Sequence, residues 1–135
     1  MVLRRFLTAG ATAAATLALT AIPVFAAVGN QNPNLTVQLS LNPTVVTAPG
    51  QVTATASITN NTGKTDRVTA EVEIISPSGA ISSYYQKYKI GPGGTVSQTL
   101  VYPVPASAEK GIYTVTLSAT DRSGTSSATE YLTVE

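Results

Sequence analysis

The 135-residue chain contains no histidine and no cysteine. An imidazole base, a thiolate nucleophile and the usual transition-metal ligand sets are therefore all missing. Acid–base chemistry would have to come from carboxylates alone: Asp66, Glu71, Glu73, Glu109, Asp121, Glu130 and Glu135. Glu71 and Glu73 are two residues apart, which on a strand places them on one face about 7 Å from each other. Such a pair is ordinary solvated surface when bases lie across from it. Asp66 and Asp121 fall in turn-like sequence, where Asp bonds its own backbone, without the Asp-x-Asp density of a calcium loop. Gly91-Pro92-Gly93-Gly94 is followed by no Lys-Ser/Thr and no helical pattern, so it reads as a turn and not as a phosphate loop. A Lys–Asn crosslink between first and last strands is excluded, because the first has no Lys and the last no Asn. The expectation is a chain with no enzymatic activity, no cofactor and no metal.

One constellation stands apart. Tyr84, Tyr85 and Tyr88 are three of the six tyrosines and lie within five positions, with Lys87 and Lys89 among and beside them. Alternation puts Tyr84 and Tyr88 on one face and Tyr85, Lys87 and Lys89 on the other. Exposed tyrosines are rigid, amphipathic anchors that stack on sugar rings or seat a protein partner. The other reading is that Tyr84, Tyr88 and Ile90 cap a core and Tyr85 is a lone surface ring.

The elements that must carry these residues are strands. Tyr113, Val115, Leu117 and Ala119 alternate with Thr114, Thr116, Ser118 and Thr120, and Asp121-Arg122-Ser123-Gly124 turns the chain into a second strand ending at Val134. Leu35–Leu41, Gln51–Thr59, Arg67–Ile75, Ile81–Ile90 and Thr95–Tyr102 repeat the same period of two, each bounded by Gly, Pro or Asn. In Thr95–Tyr102, Gln98 is the one polar residue on the apolar face. Thr44 to Thr47 fits a short edge piece. No stretch after residue 26 carries a helical period. About seven short strands at this spacing predict an all-β, Ig-like antiparallel two-sheet sandwich. Pro103–Lys110 is long enough to cross between the sheets. Tyr113, at a strand start, fits either a tyrosine corner or a half-buried aromatic.

Met1–Ala26 has the marks of an export leader: Arg4-Arg5, an apolar run from Phe6 to Leu19, and Val24 and Ala26 at the small positions of a cleavage site. Cleavage after Ala26 leaves 109 residues, one domain's worth. The domain plan is a signal peptide over 1–26, a flexible polar arm over 27–34 and the sandwich over 35–135. Without Arg4 and Arg5 the chain has six basic against seven acidic residues, which argues against nucleic acid and anionic membrane surfaces as partners. Export permits disulfides; with no cysteine, packing alone holds this domain.

Leu41-Asn42-Pro43, Ala48-Pro49-Gly50 and Ile58-Thr59-Asn60-Asn61-Thr62-Gly63, continued by Ile90–Gly94, Val104-Pro105 and Gly111-Ile112-Tyr113, resemble bacterial Ig-like modules of the CARDB (cell-adhesion-related) type. The hairpin Gly111–Val134 is also similar to the end of a PKD repeat, although the chain has no Trp and no Gly-Asp-Gly element. The resemblance implies the fold, and a role as spacer, adhesin or accessory domain with no fixed catalytic residue. The expected function is that of a secreted module acting by binding, placed outside the cell, at its surface or in the periplasm. One form is a self-associating structural or adhesive subunit whose arm, Ala27–Leu41, adds to a neighbour's sheet edge. The other is an accessory module binding carbohydrate or a partner protein through Tyr84–Lys89. Asn34-Leu35-Thr36 and Asn60-Asn61-Thr62 match the glycosylation sequon.

Overall fold

A computed structural model describes residues 31–135; the expected leader Met1–Ala26 and the first residues of the expected arm lie outside them. Eight strands occur in chain order: β1 Leu35–Asn42, β2 Val45–Val46, β3 Gly50–Asn60, β4 Asp66–Ile75, β5 Ile81–Ile90, β6 Thr95–Val104, β7 Gly111–Asp121 and β8 Gly124–Val134. They form a three-stranded sheet, β1-β3-β6, and a five-stranded sheet, β2-β8-β7-β4-β5. This is the all-β Ig-like sandwich that the alternation predicts, with seven long strands and the two-residue β2 added. Among the described residues no helix is long and apolar enough to cross a membrane.

The period of two is directly visible in burial. Val68, Ala70 and Val72 of β4 pack against Leu117 and Ala119 of β7 and Ala128 of β8, while Leu35, Leu39, Ala56 and Ile58 close the core from the smaller sheet. Between them, Thr69 and Glu71 of β4 and Ser118 of β7 face outward, whereas Ser126 and Glu130 of β8 fall on the inner face and are buried. Burial of aliphatic side chains at about 25 cal/mol per Å² is the main stabilising term, because no cysteine is present to crosslink the sheets.

Two of the connections between the sheets are fixed by specific contacts. β2 leaves the smaller sheet and pairs parallel to β8, with Thr133 N donating to Thr44 O at 2.8 Å and Glu135 N to Val46 O at 2.8 Å. The crossover after β6 ends in a tyrosine corner, in which Tyr113 OH donates to Glu109 O at 2.8 Å, four residues upstream as that motif requires. Gly111 sits at φ +130°, and a Cβ there would lie 2.9 Å from Pro77, so the strand start needs glycine.

Gln31–Asn34, expected as part of a flexible arm, are pinned. Asn32 is 5% exposed. Its N–H donates to Ser126 Oγ at 2.7 Å and its amide to Asp121 Oδ1 at 2.7 Å. Ser126 Oγ lies 3.0 Å from the carbonyls of both Asn32 and Leu35. Leu35–Leu41 is likewise an integral strand, paired with β3 over its whole length. Polar side chains in the pre-strand segment find buried partners on the β7–β8 hairpin, which no local pattern reveals.

Candidate functional site

β5 is an edge strand: β4 pairs with one side of it, and among the described residues no strand pairs with the other. Its alternation separates the five residues singled out in the sequence. Tyr84 and Tyr88 turn inward and pack on the core. Tyr85, Lys87 and Lys89 turn outward and are exposed. The structure therefore does not bring the three tyrosines onto one platform; of the three, Tyr85, 65% exposed, is the one available to a partner.

The inward tyrosines tie the edge to the core. Tyr88 OH accepts from Gln98 Nε2 of β6 at 3.0 Å, a bridge between the edge strands of the two sheets. This explains the one polar residue on the inner face of β6. Burial pushes the Tyr88 phenol up, although the Gln98 bond works against it. Tyr102 is also pushed up, by burial and then by the neighbouring Tyr84.

On the outer face, β4–β5 register sets Glu71 beside Tyr85, Glu73 beside Ser83, and Arg67 beside Lys89. Tyr85 donates to Glu71, and that carboxylate raises the phenol's pKa. Glu71 and Glu73 thus share the outer face, as their spacing predicts, but Tyr85 and Ser83 of β5 and Ser118 and Thr116 of β7, not the expected bases, stand across from them. The row ahead of them is apolar: Tyr131, Thr114, Ile75 and Ile81 align across β8, β7, β4 and β5. One sheet face therefore runs from apolar to acidic to basic along the strand direction.

A second polar cluster was not legible as a site. Asp66, at the start of β4, and Asp121, at the end of β7, share a hydrogen bond. Burial first, then that bond and the Asp121 charge, raise the Asp66 carboxyl above its ordinary range. Burial opposes ionisation of Asp121 as well, but the bonds it accepts from Asp66, Ser123 N, Asn32 and Asn34 prevail and hold it low. Among the described residues no group of three His, Cys, Asp or Glu is placed to hold a metal ion. The two residues are 55 positions apart and only the β4–β7 pairing joins them.

Both sequon asparagines are structural. Asn60 is fully buried, and its Nδ2 donates to Lys64 O, Ile90 O and Gly91 O at 2.7–3.0 Å. Asn34 Nδ2 lies 3.0 Å from Ser123 Oγ and 3.4 Å from Asp121 Oδ2. In the folded chain the nitrogen a glycan would occupy on Asn60 is inside the protein.

Two sheets in this order define a β-sandwich of Ig-like architecture. No protein-family model matches the sequence, and no curated protein matches it either. Solved structures share the fold at low identity. The CARDB domain of a Pyrococcus furiosus protein, solved in complex with di-metal ions, superposes with a TM-score of 0.58 at 18% identity, covering 76% of this chain and 89% of that one. The C-terminal domain of wzt gives 0.57 at 11%, covering 84% and 82%. Alkylpurine DNA glycosylase AlkC from Pseudomonas fluorescens, bound to DNA, gives 0.60 at 9%; the match covers 76% of this chain but spans only 30% of that enzyme's length.

Proposed function

We propose that this chain is an exported, non-enzymatic Ig-like module of the CARDB type, and that it works by pairing the free edge of β5 with the same edge of a second copy. The observation that carries the reading is β5 itself. It is a ten-residue edge strand, tied to the core by Tyr84 and Tyr88, with Tyr85 near its midpoint. The leader sequence supports export. The absence of His and Cys from the chain supports a role without catalysis. The CARDB resemblance in sequence and the superposition over most of that domain support the module type.

Antiparallel pairing about a two-fold axis at Tyr85 sets each residue opposite the one whose number completes the same sum. Tyr85 then faces its own copy, Lys87 faces Ser83, and Lys89 faces Ile81. No lysine meets a lysine. Ser83 is small, and beyond it lies Glu73, so the Lys87 ammonium of one copy reaches across to the Glu73 carboxylate of the other. Lysine on an edge strand ordinarily blunts it. Here the register supplies the opposite charge two strands away, and the like-with-like approach is what remains disfavoured. Ala27–Leu41 is not the donated strand in this arrangement, since Leu35–Asn42 already pairs at home.

The carbohydrate reading fares less well, because two of the three rings needed for a stacking platform face the core. The direct test uses the lack of native cysteine. Tyr85→Cys places two sulfurs across the axis at the Cα separation a disulfide accepts, about 5.5 Å. The expected result is rapid oxidation to a covalent dimer. Crosslinking no faster than with Ser127→Cys, on the same sheet face but three strands away, would overturn the proposal.

A further inference from the structure

Between the sheets, at the end opposite the Asp66–Asp121 pair, lies a cavity of about 320 Å³. The larger sheet lines it with Val72, Val115 and Leu132, and the smaller with Val52, Ala54 and Val104. It opens in the seam between β5 and β6, where Ala80 and Ser82 are exposed and Tyr102 and Ala108 are half-buried. The seam's other end is shut by the Tyr88–Gln98 bridge. The cavity exists because small residues stand where large ones would fill the core. Ala54 lies between Leu41 and Leu100 in its sheet, and Ser82 takes the first inward position of β5 opposite Ile74.

We propose that this cavity binds a single aliphatic chain of roughly a dozen carbons ending in a neutral polar head. A cavity of about 150 Å³ lined by aliphatic residues admits a six-carbon ring, so twice that volume suits about twice the carbon count. Natural ligand pockets begin near this size and share this mostly apolar lining. Water is a poor occupant, since a buried water needs two to four polar partners and the inner walls offer aliphatic carbon. None of the lining residues is charged, which disfavours a carboxylate or ammonium head. The polar groups lie toward the mouth: Ser82, and the Tyr102 and Tyr113 phenols, which neighbour each other. A hydroxyl head seated there meets donors and acceptors while the chain lies inward. This site is independent of the β5 pairing, which uses the outer face and free edge.

The test is 1-decanol binding to the purified protein, read by displacement of the fluorescent probe N-phenyl-1-naphthylamine and by thermal melting. Decanol is expected to raise the midpoint in a dose-dependent way and displace the probe, and decanoate to do so less well. Ala54→Leu fills the cavity and Ser82→Leu blocks its mouth. Either, if folded by circular dichroism, is expected to weaken decanol binding about tenfold or more, while Tyr85→Ala leaves it unchanged. A wild-type midpoint that decanol does not raise would overturn the proposal whether or not the variants fold. So would folded variants that bind decanol as the wild type does.

Discussion

Asn60 is a buried side chain whose removal should be felt at two turns at once. Its amide donates to Ile90 O at 2.9 Å in a buried setting and to Lys64 O and Gly91 O in partly buried ones. Its Oδ1 accepts from Thr62 N at 2.9 Å and Thr62 Oγ1 at 2.7 Å. The β3–β4 and β5–β6 turns are thus held to one side chain. Asn60→Ala orphans the buried bond to Ile90 O, worth about 1–3 kcal/mol, and four partly buried bonds at about 0.5–1 kcal/mol each, since water replaces some of them. The sum is about 3–7 kcal/mol, a large share of the roughly 5–15 kcal/mol that holds a domain of this size. At about 4 °C or more per kcal/mol, the midpoint should fall by at least about 12 °C. Asn60→Asp sharpens the reasoning. Aspartate keeps the acceptor but has no donor, so at neutral pH its charge faces three carbonyl oxygens. It should be worse than alanine, and the gap should narrow as acid protonates it. Urea denaturation of the three proteins, with unchanged slopes, checks both statements. A loss below about 1 kcal/mol for Asn60→Ala, or an aspartate variant milder than the alanine one, would refute the reasoning.

Three further outcomes are expected. The Asp66 carboxyl is raised above its ordinary 3.8 and Asp121 is lowered below it. The Asp66 contribution is therefore full below 3.8 and lost as pH rises through its folded value. That of Asp121 is full above 3.8 and lost as pH falls through its own. Stability should peak in mild acid, and Asp66→Asn, which still donates to Asp121, should exceed the wild type near neutrality; melting curves from about pH 3 to pH 8 that peak at neutral pH for the wild type would contradict this. Ser126→Ala should cost about 1–3 kcal/mol and speed amide hydrogen exchange at Asn32 and Leu35 before other sites; unchanged protection there would dismiss the clasp. Tyr88→Phe alone should destabilise by about 1–2 kcal/mol, whereas Tyr88→Phe with Gln98→Leu should recover part of that loss, because neither member of the Tyr88–Gln98 bond is then left without the other; a double variant weaker than the single one would count against the bridge.

What could be read from the sequence was whatever depends on neighbours along the chain. Alternation in Tyr113–Ala119 and Val68–Ile74 shows the strand and its inner face together, because side-chain direction has a period of two. The turn Asp121–Gly124 was legible because Asp121 bonds the N–H groups of Ser123 and Gly124, two and three residues on. The split of β5 followed from the same parity. What depends on strand order was not legible. Gln98 looked like an irregularity until β5 and β6 proved to be facing edges. Asn60 read as a turn residue, and only the folded chain brings Ile90 and Gly91 to it. Asn32 read as flexible lead-in, and its partners lie about 90 residues away. The cavity has no local signature either, since an alanine on an inner face is equally suited to close packing.

The central claim, that the module acts by pairing its β5 edge with another copy, is tested most directly by its mass in solution. Light scattering across a concentration series should show the wild type rising from one chain's mass to two. Lys87→Glu, which sets like charge against Glu73, should hold the protein at one. A wild type that stays at one chain's mass at every concentration would contradict the account, and a Lys87→Glu protein that associates as the wild type does would contradict the pairing register.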